Sequence, residues 1–335
     1  MLRELPHAAL GYPDPAGVRE LRTELSEYLA RVRAAVTGPD GVVVTAGVAQ
    51  TLATLPRLLI EEGHRLLAVE DPLGHHQIPV IRATGIELVG VPVDEEGIDV
   101  AALARTAARA VLVTPAHQFP TGVVLSPRRR SALIEWAQAA DAVIIEDDYD
   151  GEFRYDREPV GCLQGLAPER VVLAGSVSKA LSPALRLGWA VAPPWLALRL
   201  RAARALHDLG SPVLDQHVLA RLIASGGYAR HLRLMRRRYR GRRDAFVSAL
   251  AERVPRVRVH GVSAGLHAYA ELPESYDETA VVTGAAELGV AVEGVAPMRV
   301  RHPGPPAVVV GYARLPERRL AEAVELLAAA IAGSG

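Results

Sequence analysis

"RVVLAGSVSKALSPALRLGW", residues 170–189, carries two signals at once. Its first seven residues form an apolar run that stops at Gly175 and Ser176, the pattern of a short buried strand. Lys179 follows, the only lysine in a chain with 38 Lys and Arg residues. Arginine can replace lysine for solvation, ion pairing or phosphate binding. It cannot lose its proton and attack a carbonyl, because its pKa stays above roughly 12. A lysine amine can do both and form a Schiff base. A lone lysine just past a strand end is therefore a candidate for covalent chemistry.

Working outward, the same kind of run recurs at "GVVVTAG" (41–47), "RLLAVEDP" (65–72), "GIELVGVPV" (85–93), "RAVLVTPA" (109–116) and "DAVIIEDDYD" (141–150). Helical patterns separate them, such as "AQTLATLPRLLIEEG" and "SPRRRSALIEWAQAAD", the latter with Ser126 as N-cap and Pro127 in the first turn. Strand–helix alternation predicts an α/β protein built on a mostly parallel sheet. Ligands in such sheets gather at the carboxyl ends of strands, which singles out Gly47, Asp71, His117, Asp147 and Ser176. From about Trp195 to Phe246 the sequence reads as helix. Short strands return in "RVRVHG", "GLHAYAEL" and "PAVVVGYARL", before an amphipathic helix, "PERRLAEAVELLAAAIAG". This predicts a large α/β domain over residues 1–245 and a smaller α+β domain over 246–335.

Bulk composition narrows the function. Formal net charge is zero, so no global field draws the chain to nucleic acid or an anionic membrane. The arginines of "YARHLRLMRRRYRGRRDAF" have no aromatic stacking platform and read as a solvated or inter-domain face. Cys162 stands alone, which excludes an intrachain disulfide framework and argues against a cysteine-based zinc site. No metal site is expected. Without a long apolar run or signal-peptide layout, the expected compartment is the cytoplasm.

Four motifs converge on one chemistry. Ser176, Ser178 and Arg186 surround Lys179 with groups suited to a phosphate. "TAGVAQT" (45–51) leads a strand into a helix through Gly47, offering the amides of the helix N-terminus to an anion. "EDDYD" ends a strand with Asp147 and Tyr149 on one side, a carboxylate for a protonated pyridine nitrogen and a phenol for a ring hydroxyl. "HQFPTG" (117–122) makes a turn that could wall a planar ring. A phosphate cradle, an amine and a carboxylate together describe pyridoxal 5′-phosphate.

The chain resembles the class I/II, fold type I aminotransferases, and within them the aminotransferase-like domain of MocR/GabR-type regulators. The likeness runs from "GYPDPAG" (11–17) to "GYARLPERRL" (311–320), through "VVVTAGVAQTL", "VTPAHQFPTGVVLS", "IEDDYDGEFRYD", "SVSKALSPALRLGW" and "AGLHAYAEL". It implies a fold type I PLP-dependent transferase with Lys179 in the Schiff base, Asp147 on the pyridine nitrogen and Tyr149 on the phenolic oxygen. Ser176, Ser178, Arg186, Gly47, Val48 and Ala49 would hold the phosphate. Tyr12 would reach the phosphate of a neighbouring subunit, which implies a homodimer with shared sites. Arg299 would take a substrate carboxylate.

Three departures accompany the likeness. The subfamily commonly places a cofactor-stacking aromatic where this chain has Gly74 of "EDPLGHH", so His75 or His76 is expected to stack instead. Val309 occupies the place of the usual carboxylate-binding arginine. The winged helix-turn-helix domain with which the regulators begin is not in this sequence. The expected function is a PLP-dependent aminotransferase acting on a small amino compound. The alternative is an effector-sensing domain of a regulator without its DNA-binding half, binding no nucleic acid itself.

Overall fold

A computed structural model describes residues 5–155, 160–261 and 263–334 of the chain. Asp156, which closes the quoted "IEDDYDGEFRYD", lies outside them. The apolar runs form one eight-stranded sheet from β1 (Val42–Thr45), β2 (Leu66–Asp71), β3 (Glu87–Asp94), β4 (Gly97–Ile98), β5 (Ala110–Val113), β6 (Val143–Asp148), β7 (Val171–Ser176) and β8 (Gly188–Val191). The spatial order is β1-β8-β7-β6-β5-β2-β3-β4. Strands β3, β2, β5, β6 and β7 pair in parallel, while β8 runs antiparallel to both β7 and β1. The α/β, mostly parallel sheet expected from the alternation is the observed architecture. β8 is an addition, four residues beginning Gly-Trp that carry no strand signal of their own.

Both faces of the sheet are covered, so neighbouring residues of one strand feed opposite cores. Leu112, Ile145 and Val172 meet Leu52, Leu55 and Leu59 of helix Val48–Glu61 and Leu200 of helix Pro194–His207. One residue earlier in each strand, Val111, Ile144 and Val171 meet Leu133, Trp136 and Ala137 of helix Pro127–Ala139. That helix begins as the sequence predicts, with Ser126 Oγ accepting from the Arg129 amide at 3.2 Å. Leu52, Leu55 and Leu59 are essentially inaccessible to solvent, and each such leucine contributes about 1.5–3 kcal/mol.

A second, four-stranded antiparallel sheet has the order β11-β12-β10-β9, with β9 Arg258–His260, β10 His267–Glu271, β11 Glu293–Gly294 and β12 Ala307–Gly311. Helix Glu317–Ala332 covers it through Leu320, Val324 and Leu327. The arginine-rich helix, Gly227–Arg253, spans the region between the sheets, and the position expected for a domain division, 245/246, falls inside it. Four of its arginines bond to other parts of the chain. Arg236, Arg240 and Arg242 donate to the carbonyls of Glu152, Tyr155 and Ala313, and Arg253 pairs with Glu325 at 2.7 Å. A further joint lies at the end of β2. Asp71 accepts from the amides of Val300, Arg301 and His302, each at 2.8 Å, and Leu73 N donates to Met298 O at 2.8 Å. No helix among the described residues is long and apolar enough to cross a membrane.

Candidate active site

Strand register brings the flagged segments together. Gly188, the first residue of β8, lies opposite Ser176 on one side and Thr45 on the other, so the exits of β7 and β1 meet at one edge. Gly47 caps the helix that follows β1 with φ +93°, a conformation that disfavours any side chain. A Cβ there would also sit 3.2 Å from Arg186 Nη2, which donates to the Ala46 carbonyl. Val48 and Ala49 are the first residues of the helix, where amides precede the first intrahelical acceptor. Ser176 Oγ accepts from Ser178 N at 3.3 Å. Amides, two hydroxyls and a guanidinium at a helix N-terminus could hold a dianionic phosphate.

Asp147, on the adjacent strand, pairs across with Ala174 two residues before Ser176. It is 4 % exposed. Gln77 Nε2 donates to its Oδ2 at 2.7 Å, while Oδ1 finds no partner among the described residues. Burial pushes the carboxyl up to about 7, the Gln77 bond and the Lys179 charge pull it down, and Asp148 and Asp150 push it up. A half-partnered buried carboxylate suits a cation that arrives with a ligand. Lys179 is exposed, and its charge reaches both Asp147 and His267. The residues present therefore fit a phosphorylated pyridine aldehyde: an anion cradle, an amine, and a carboxylate with a free oxygen.

Tyr149 follows β6 directly. Its hydroxyl lies 2.9 Å from His117 Nδ1, and Phe119 stands edge-on to its ring at 6.0 Å. Burial and then the Asp150 charge hold the phenol well above its ordinary value. The "HQFPTG" turn, expected to wall a planar ring, brings Phe119 against Tyr149. A Cβ on Gly74 would approach the Phe119 ring to 3.3 Å. His75 turns elsewhere, its ring 3.7 Å from that of His76 and its Nδ1 3.6 Å from Glu293. Arg299 donates from Nη2 to the Pro305 carbonyl at 2.8 Å and interacts with Tyr269, the strand partner of Val309. Val309 packs with Tyr269, Met298 and Phe119 in a small apolar cluster. Tyr12 is 89 % exposed and touches no core.

Sequence reasoning did not identify Gln77, Asp150 or His267. Gln77 opens a six-residue helix, and nothing local marks it as the partner of a residue 70 positions away. His267 had one available signal, an imidazole opening a strand whose next three residues are apolar or aromatic.

The sequence profile of the family described as "Aminotransferase class I and II" matches residues 3–327. The HTH-type pyridoxine biosynthesis transcriptional regulator PdxR of Corynebacterium glutamicum is 37% identical over 82% of this chain and 60% of its own length. The 2-aminoadipate transaminase of Thermus thermophilus is 31% identical over 99% of this chain and 84% of its own length. Among solved structures, LysN, the alpha-aminoadipate aminotransferase of Thermus thermophilus complexed with N-(5′-phosphopyridoxyl)-L-leucine, matches with TM-score 0.89 at 29% identity. That match covers 99% of this chain and 86% of that one. The chain spans about 60% of the PdxR regulator and 65% of the "Probable rhizopine catabolism regulatory protein MocR" of Rhizobium meliloti, which is 30% identical.

Proposed function

Because this chain belongs to the class I and II aminotransferase family, we propose that it binds pyridoxal 5′-phosphate at Lys179 and transfers the amino group of a small amino compound. One observation carries the reading: the buried Asp147 with an unpartnered oxygen shares one strand-end cluster with the only lysine and the Gly47–Arg186 cradle. The bound cofactor would supply an electron sink for charge developing at the substrate carbon. The chain's own residues do the rest. Asp147 Oδ1 holds the pyridine nitrogen protonated, and Gln77 keeps that carboxylate oriented. Lys179 Nζ would anchor the cofactor, and its amine would take a proton from the substrate carbon and return it. Tyr149 donates to the phenolic oxygen. Ser176, Ser178, Arg186 and the amides of Val48 and Ala49 fix the phosphate, and Arg299 is the candidate for a substrate carboxylate.

Val309 supports a second reading. An apolar cluster occupies the place where the resemblance leads one to expect an arginine, and several relatives are transcriptional regulators. In that reading the site senses an amino effector and does not turn over. Purified protein with added cofactor, a panel of amines and a keto acid acceptor separates the two. Repeated keto acid formation supports transamination, one stoichiometric spectral shift supports sensing, and a protein that takes up no cofactor ends both.

The proposed assembly is a homodimer. Tyr12 and Leu206 are 89 % and 87 % exposed, and Leu209 leads into Gly210, whose position packs against Pro13 and Pro15 beside Tyr12. An isologous interface covering these side chains would carry Tyr12 to the partner's phosphate. Tyr12→Phe is expected to weaken cofactor affinity by one hydrogen bond to a charged group, roughly 1.5–3 kcal/mol. Mixing Tyr12→Phe subunits with Lys179→Ala subunits places both defects in one site and neither in the other. One normal-affinity site per heterodimer is expected; its absence means that Tyr12 acts within its own subunit, whereas unchanged affinity in the Tyr12→Phe homodimer means that Tyr12 does not act at all.

A further inference from the structure

Behind Tyr149 lies a buried polar cluster that the proposed chemistry does not use. His117 and Asp150 are each 1 % exposed, and His117 Nδ1 sits 2.8 Å from Asp150 Oδ2 and 2.9 Å from the Tyr149 hydroxyl. The other ring nitrogen, Nε2, lies 2.9 Å from the Gly261 carbonyl, which can only accept. One nitrogen faces a carbonyl and the other a carboxylate, an environment that asks both to carry protons. The resulting imidazolium is balanced by Asp150. Gly265, at φ +78°, closes the cluster: a Cβ there would lie 2.3 Å from His117 Cε1 and 2.6 Å from Asp150 Oδ2.

We propose that His117 and Asp150 are positioning residues acting through Tyr149, holding its hydroxyl protonated and free to donate into the site. The inference rests on the cofactor reading for what Tyr149 donates to. Tyr149 has one proton and two claimants, the Asp150 carboxylate and any acceptor in front of it. An imidazolium on Asp150 satisfies the carboxylate, and its shared Nδ1–H also approaches the Tyr149 oxygen. The phenol proton then points forward. The surrounding charges are Asp147 and Tyr312 near Tyr149, Arg154 near His117, and Lys179 near His267. Burial alone would lower His117, but the charge and hydrogen bond of Asp150 outweigh it and the group is raised. His267, its ring 5.0 Å away, is driven well below its ordinary value, first by burial and then by the His117 charge, and stays neutral. Its Nε2 donates to the Pro120 carbonyl.

The test combines two measurements. In protein without cofactor, carrying ¹⁵N-labelled histidine and assigned by His117→Gln, both His117 nitrogens should be protonated at pH 6.5, where a free imidazole is about half protonated. In cofactor-loaded protein, the pH midpoint of the visible absorbance should rise in His117→Gln by about 0.5–1 unit. Tyr149→Phe should raise it at least as far, and the double variant should match Tyr149→Phe, the signature of action through that hydroxyl. Should His117→Gln fail to fold, Asp150→Asn enters the same titration with the same expected sign. A singly protonated His117 overturns the proposal, as does an unmoved midpoint in folded variants or full additivity with Tyr149→Phe. One equivalent of tightly held Zn²⁺ lost in Asp150→Asn would also overturn it, since His117, Asp150 and His267 present ligand atoms within 4.8 Å of one another. A protein that takes up no cofactor refutes the proposed function, while the nitrogen spectrum still decides the state of His117.

Discussion

Lys179→Arg yields a folded protein in which borohydride fixes no pyridoxyl group, while the parent carries the label on the peptide containing residue 179. Arginine keeps the charge and nearly the length of the side chain, and the site is exposed, so stability should change by no more than about 0.5 kcal/mol. What is lost is the capacity to deprotonate. Turnover, where the parent shows it, should fall by about 10²–10⁴ for the missing proton transfer alone, and further for the missing anchor. Peptide mass spectrometry checks the result cleanly, because the only other aliphatic amine is the chain's own α-amino group. A fully yellow parent with an unlabelled Lys179 peptide would sink the assignment.

Asp147→Asn is expected to change two observables in opposite directions. In cofactor-loaded protein it removes the charge that keeps the pyridine nitrogen protonated, so exchange of the substrate α-proton should slow by about 10²–10⁴. In protein without cofactor it should stabilise. The unfolded carboxyl titrates near its ordinary value of 3.8, whereas burial raises the folded one to about 7. Between those values the folded chain keeps a proton that the unfolded chain has released, so stability falls as pH rises through that window. Asparagine has no such proton to lose and still accepts from Gln77. By pH 8 the variant should have gained on the order of 2–4 kcal/mol relative to its standing at pH 3.5. Thermal unfolding of parent and variant across this range checks the raised carboxyl, which parallel pH curves would refute, and unchanged α-proton exchange would remove Asp147 from the role.

Much of this arrangement was legible because strand periodicity and strand-end chemistry are local. The runs ending at Thr45, Asp148 and Ser176 announced a parallel sheet, and the same ends carry Gly47, Asp147 and Lys179. Strand β8 escaped because its four residues begin with a glycine and derive their order from pairing between β1 and β7. His75 or His76 was expected to replace a missing aromatic because both follow Gly74 directly in sequence. Neighbouring Cβ atoms along a turn do not share a direction, and the ring standing against Gly74 is Phe119, 45 positions away. The His117–Asp150–Tyr149 cluster depends on a turn, a strand exit and a carbonyl 144 residues distant, a coincidence that only the folded chain reveals. Asp71 shows the converse. It obeys the strand-end rule, yet its carboxylate is consumed by three amides of the chain itself.

That consumption has a mechanical meaning. The four hydrogen bonds at the end of β2 fasten residues 298–302 to the large sheet, although they lie in sequence between β11 and β12 of the small one. Arg299 sits between Met298 and Val300, two of the fastened residues, so its backbone is tied to the large sheet from both sides. Lys179 is fixed to the same large sheet through β7. A molecule gripped between the two would be measured against an inelastic ruler, with its length judged by the large sheet alone.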